Sequence, residues 1–157
     1  MKKLISIVLP LMLLLACKQT KVEQVIEEKF PSGNKKVECW YKGEGESREK
    51  IKEIRYTDEG KVEMEGEFKN NKKDGKWVVY HPNGIKWSEG YFKEGKADGK
   101  RTVYHTNGKV RYEGEYKAGE PSGVWSIFDF DGKMIKVVDY TKRNKDSIRN
   151  DTMIKAN

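Results

Sequence analysis

Gly75-Lys76-Trp77-Val78-Val79-Tyr80, then Asn83-Gly84, then Glu89-Gly90-Tyr91-Phe92-Lys93-Glu94-Gly95, is the stretch from which the architecture follows. Its two halves are rich in β-branched and aromatic residues, and Asn-Gly between such runs is a strong hairpin signal. A two-residue type I′ loop at Asn83-Gly84 predicts Trp77 opposite Gly90 and Gly75 opposite Phe92. Each large ring then faces a bare backbone, an arrangement in which the aromatic side chain supplies the packing that glycine lacks.

The pattern returns at a step of 24 residues. Tyr56, Tyr80, Tyr104 and Phe128 form one column; Gly66, Gly90 and Gly114 a second; Gly75, Gly99 and Gly123 a third; Phe68, Phe92, Tyr116 and Tyr140 a fourth. The turn glycines Gly60, Gly84, Gly108 and Gly132 form a fifth. Self-similarity at a fixed step marks a repeat protein, whose exposed surface rather than a buried pocket is the usual working part. Short connections such as Gly95-Lys96-Ala97-Asp98-Gly99 make neighbouring strands pair antiparallel in chain order. The expected fold is therefore all-β: an elongated single-layer antiparallel meander of tandem β-hairpin repeats, spanning residues 30–140.

Alternation along the strands puts Phe68, Trp77, Val79, Phe92, Val103, Tyr112, Tyr116, Trp125, Ile127 and Tyr140 on one face. Glu65, Lys76, Glu89, Lys100, Glu113 and the column Tyr56, Tyr80, Tyr104 and Phe128 fall on the other. A single layer leaves large rings partly exposed, and exposed apolar patches mark interaction sites. Trp77, Phe92, Tyr116, Trp125 and Tyr140 are accordingly the candidate binding face, lining a groove for a protein, a glycan or a lipid headgroup. The alternative is that these rings only pack on the glycines.

The pattern G-x-W-x-x-Y, an N-G-K type turn, and E-G-x-Y/F-K-x-G resembles the bacterial variant of the MORN repeat. Glu53 and Arg101 stand in its tryptophan column and Val138 in its glycine column. For many bacterial proteins with this repeat, the resemblance implies an antitoxin of the YwqK-like family. An antitoxin normally meets its toxin in the cytoplasm.

Residues 1–16 carry Lys2, Lys3 and an apolar run from Leu4 to Ala16, the layout of a secretory signal. Thirteen helical residues rise only about 20 Å, short of a bilayer core of about 30 Å. Leu14-Leu15-Ala16-Cys17 resembles the lipobox of bacterial lipoproteins, which implies cleavage after Ala16 and diacylation of the Cys17 thiol. The chain is then expected to be anchored to the envelope membrane through lipid, with residues 17–29 as a lipidated linker. Lys18 stands where aspartate implies inner-membrane retention in enterobacterial lipoproteins, so the resemblance points to the outer membrane in a cell with two.

Loss of the signal lowers the formal charge from +7 to +5, a mild and scattered excess. No nucleic-acid-binding motif accompanies it, so no nucleic-acid partner is expected. Residues 141–157 read as a basic, polar, disordered tail. With Cys17 committed to lipid, Cys39 is left as a single thiol in the glycine column, too few ligands for a structural zinc site. His81 and His105 share one repeat position, yet equivalent residues two strands apart lie roughly 9.6 Å from each other, so they read as turn-flanking residues. Asp129 and Asp131 lack the remaining ligands of a calcium loop. Neither a metal, a cofactor nor a catalytic constellation is expected, and the oligomeric state is left open.

Overall fold

A computed structural model of the chain describes residues 21–141. Ten strands form one sheet: β1 (Val22–Lys29), β2 (Lys35–Lys42), β3 (Glu49–Tyr56), β4 (Val62–Lys69), β5 (Lys72–Tyr80), β6 (Lys86–Lys93), β7 (Lys96–Tyr104), β8 (Val110–Lys117), β9 (Glu120–Phe128) and β10 (Met134–Asp139). Their order in the sheet is their order in the chain, and every pair is antiparallel. The single-layer all-β meander expected from the sequence is the one observed. A three-residue 3-10 turn, Gly45–Ser47, is the one helical piece among the described residues.

The two long sides of the ribbon use different turns. At the Pro82-Asn83-Gly84 side, the His81 N–H donates to the Ile85 carbonyl and the Gly84 N–H to the His81 carbonyl. This is a three-residue loop, in which a type I turn is followed by a left-handed residue, here Gly84 at φ +83°. The two-residue type I′ loop expected at Asn83-Gly84 is therefore corrected, because Asn83 keeps a negative φ and its Oδ1 instead accepts the Ile85 N–H. A bulge between Val79 and Tyr80 absorbs the extra residue, so Trp77 still pairs with Gly90 and Gly75 with Phe92. Gly60, Gly108 and Gly132 close equivalent loops at φ of +80°, +81° and +86°.

Type I′ geometry appears on the opposite side, at Asn70-Asn71, Glu94-Gly95 and Ala118-Gly119, where both central residues have positive φ. Asp74 and Asp98 brace two of these turns, accepting the N–H of Glu94 and of Ala118 at 3.1 Å each.

The sheet begins earlier than residue 30. Residues 22–29, read from the sequence as linker, form β1, which pairs with β2 through Val25 and Cys39. Phe30-Pro31-Ser32-Gly33 is the three-residue-loop chemistry again, with the Gly33 N–H on the Phe30 carbonyl. A loop of this kind needs a strand on each side, and Val22, Val25 and Ile26 supply one. The signal segment, Cys17 and most of the basic tail lie outside the described residues.

Candidate binding surfaces of the sheet

On the aromatic face, Trp77 sits edge-on between Phe68 and Phe92, with ring centroids 5.3 and 6.2 Å away. Trp125 stands in the same relation to Tyr116 and Tyr140, at 5.2 and 6.0 Å. Both indoles lie on glycine: a Cβ added to Gly66 would come within 2.1 Å of the Trp77 ring, and one added to Gly114 within 2.3 Å of Trp125. Trp77 is thus seated on β4, not on the aligned Gly90 of β6 that the sequence pairing favoured. Gly90 is covered by Arg101, whose Nη2 donates to the Ser88 Oγ at 3.2 Å. Each indole N–H is also satisfied by main chain, Trp77 Nε1 donating to the Glu67 carbonyl and Trp125 Nε1 to that of Glu115.

Two of the five residues of the candidate binding face are buried by this placement. Trp77 and Trp125 are only 3% and 8% exposed, so they hold strands together and offer little area to a ligand. Phe92, Tyr116 and Tyr140 are half-buried around them. Lys73 completes the first cluster, with its ammonium 3.8 Å from the Trp77 ring centroid.

The opposite face carries a ladder of carboxylates and phenols. Tyr56 donates to Glu38 at 2.6 Å, Tyr80 to Glu65 at 3.0 Å and Tyr104 to Glu89 at 2.6 Å. Lysines close each rung: Lys35 on Glu38, Lys52 on Glu65, Lys76 and Lys86 on Glu89, and Lys100 on Glu113. The Lys76, Tyr104 and Lys86 bonds to Glu89 draw its carboxyl down to about 2 against the opposing effect of burial. Burial and the same carboxylate push Tyr104 up to about 12. Phe128 ends the column without a hydroxyl.

Near the N-terminal end, the ring-on-glycine unit is replaced by a polar one. Cys39 fills the glycine position and Glu53 the tryptophan position, and the two are paired across β2 and β3. The Cys39 Sγ lies 3.2 Å from Glu27 Oε2 and 3.9 Å from Glu53 Oε2. Lys50 Nζ is 3.1 Å from each of those carboxylates, and Arg55 Nε is 2.8 Å from Glu53. The donor set Glu27, Cys39 and Glu53 has metal-ligand chemistry, but the Lys50 ammonium already supplies the positive charge between the carboxylates. Burial first, then the Glu27 carboxylate, raises the Cys39 thiol to about 11, so it stays protonated. Sequence reading placed Cys39 in the glycine column but missed this cluster, because its members come from three strands.

His105 Nε2 lies 3.1 Å from the Phe128 carbonyl, and its ring tilts against Phe130; His81 tilts against Trp87. Asp129 Oδ1 accepts the N–H of Asp131 and of Lys133, which is turn bracing. On the type I′ side, an open depression is lined by Lys69, Lys72 and Lys93, by Tyr91 and Phe92, and by the acidic residues Asp74, Glu94 and Asp98 of the turns. Among the described residues, none of these three lysines has an ion-pair partner, and Tyr91 is exposed.

Residues 51–70, 73–94 and 97–118 coincide with the hairpins β3–β4, β5–β6 and β7–β8, each closed by a three-residue loop. Three tandem segments match the MORN repeat variant. The hairpins β1–β2 and β9–β10 lie outside the matched segments and continue the same sheet at its two ends, with Val25 and Cys39 in the tryptophan and glycine columns of the first and Val138 in the glycine column of the second. No curated protein matches the chain. Among solved structures, a mutant of S. aureus TarM in complex with Fondaparinux, alpha-GlcNAc-glycerol and UDP is similar at 15% identity and a TM-score of 0.33, over 78% of this chain and 20% of that one. A second TarM crystal structure gives 15% identity and 0.32, over 76% and 19%. The chain therefore spans about a fifth of the length of these structures.

Proposed function

We propose that this chain is a non-catalytic repeat protein, held at the bacterial cell envelope by lipid on Cys17, that presents its sheet to a partner protein there. The observation that carries this reading is how the ionisable groups are used. Carboxylates of the polar face are bound to tyrosines and lysines in a ladder, and the Cys39 cluster is internally neutralised, so these groups serve the sheet. Lys69, Lys72 and Lys93, beside the exposed Tyr91, are cations outside that ladder that gather on one depression, where Asp74 and Asp98 are engaged by turn N–H groups. That chemistry suits an acidic segment of a partner, and an anionic glycan or phospholipid headgroup is the other class of ligand it could receive.

A photo-crosslinking residue in place of Tyr91, in the native envelope, tests the surface. Expected is a discrete adduct with one protein, lost on Lys69→Glu with Lys93→Glu. Adducts with lipid or glycan alone would replace the protein reading by the envelope-component one. No adduct at all would overturn the surface. Labelled fatty acid on the wild-type chain and its absence from Cys17→Ser tests the anchor independently, and an unlabelled wild type would remove it.

A further inference from the structure

We infer that copies of this chain join head to tail, β10 of one copy pairing antiparallel with β1 of the next. Among the described residues these are the two terminal strands of the sheet. The inference stands on strand chemistry and is independent of the lipid anchor.

Two columns run from each even-numbered strand to the strand that follows it. In the first, Cys39 pairs with Glu53, Gly66 with Trp77 and Gly90 with Arg101, while Trp125 covers Gly114. In the second, Glu38 pairs with Ile54, Glu65 with Val78, Glu89 with Thr102 and Glu113 with Ser126. At β10 these columns arrive at Val138 and Val137, one repeat step beyond Gly114 and Glu113. At β1, Val25 pairs with Cys39 and Ile26 with Glu38, just as Trp77 pairs with Gly90 and Val78 with Glu89. Val25 therefore occupies the tryptophan column and Ile26 the Val78 column. Continued in phase, the sheet sets Val138 against Val25 of the next copy and Val137 against Ile26.

Both halves of the first pair change together. A side chain at the Gly114 position would meet the indole at 2.3 Å, so a tryptophan could not lie over Val138; a valine can. On the other face, the glutamate of the ladder gives way to Val137, 53% exposed, and its partner is Ile26, 46% exposed. Proteins usually blunt sheet edges with charge or proline; charges flank both of these strands, at Glu23, Glu27, Glu28 and Lys29 of β1 and Lys136 and Asp139 of β10, but the two central positions of each carry β-branched residues.

Main-chain direction agrees. The Tyr140 N–H donates to the Gly123 carbonyl and the Gly43 N–H to the Lys21 carbonyl, both inward. Antiparallel bonding alternates along a strand, which turns the main-chain groups of Val137 and Ile26 outward at their edges. A contact between two different surfaces is heterologous, so it propagates unless the rotation closes a ring.

Proline separates this mode from others, since Val137→Pro blocks β10 outward without removing a bond to β9, and Ile26→Pro does the same at β1. Sedimentation of the full-length chain in detergent micelles should show wild type growing with concentration and each variant alone staying at one chain per particle. Mixing the two variants should give a particle of roughly twice the single-chain mass that grows no further, because one free β10 meets one free β1. A wild type that stays single at every concentration, a variant that still associates alone, or a mixture that stays single would overturn the inference. Far-UV circular dichroism checks the sheet of each variant. Where a proline variant loses it, Val137→Lys and Ile26→Lys take its place, with the same outcomes required.

Discussion

The indole of Trp77 rests on the main chain of Gly66, so closely that a Cβ there would lie 2.1 Å from Cδ2. Trp125 repeats this on Gly114, and in each case the ring ties the last strand of one hairpin to the first strand of the next, β4 to β5 and β8 to β9. A one-layer sheet has no second layer to bury side chains against. Its apolar contacts must form between neighbouring strands, and a ring laid over glycine is the densest such contact available.

Gly66→Ala and Gly114→Ala should each destabilise the sheet by about 1–3 kcal/mol, the range for overpacking a filled site. Gly90→Ala should cost less, because its neighbour is the flexible end of Arg101, 2.9 Å away at Cδ. Chemical denaturation of the three variants checks the order. Equal losses at all three positions would contradict the seating of the rings.

Arg101→Trp places an indole over Gly90 and restores the repeat column. A gain of about 0.5–2 kcal/mol is expected, as for other consensus substitutions. The loss of the Arg101 bond to Ser88 sets the lower end of that range. Thermal unfolding of the variant beside wild type measures it, and a lowered midpoint would count against the column's packing role.

The Glu89 rung makes stability depend on pH in two windows. Its carboxyl is depressed to about 2 by Lys76 and Tyr104, so its contribution is present above the ordinary carboxylate range and is lost as pH falls towards 2. Tyr104 is raised to about 12, so the fold binds its proton more tightly than the unfolded chain does, and stability falls as pH rises from 10 towards 12. Tyr104→Phe should flatten the alkaline window and weaken the acid one. Unfolding midpoints measured across pH for both chains read this directly.

The Cys39 thiol is 0% exposed and raised to about 11, so thiol reagents at neutral pH should leave it unmodified in the native protein and label it in denaturant. Prompt labelling without denaturant would show that β2 opens or that the Glu27, Glu53 and Lys50 enclosure is absent.

The architecture was legible in the sequence because its cause is periodic. Five columns at one step carry the strand pairing, and Trp77 opposite Gly90 came out in the right register. The turn type was read on the wrong side of the ribbon. Asn83-Gly84 suits either loop length, and a bulge at Tyr80 conceals the difference from register arithmetic. Pairing also gives Trp77 two glycine neighbours, and only side-chain rotation chooses Gly66 over Gly90. The Cys39, Glu27, Glu53 and Lys50 cluster was illegible for another reason: it lies where the repeat breaks, and no column predicts what replaces a broken one. The lysine-lined depression spans two turns of separate repeats, so it too has no signature in a single unit.

The ring-on-glycine contact is best tested by the proton NMR spectrum of the glycines. The Hα resonances of Gly66 and Gly114 should be shifted upfield by the indole ring currents, with NOEs to the ring protons of Trp77 and Trp125, while Gly90 stays unshifted. An upfield shift at Gly90, or none at Gly66 and Gly114, would contradict the way this sheet is held together.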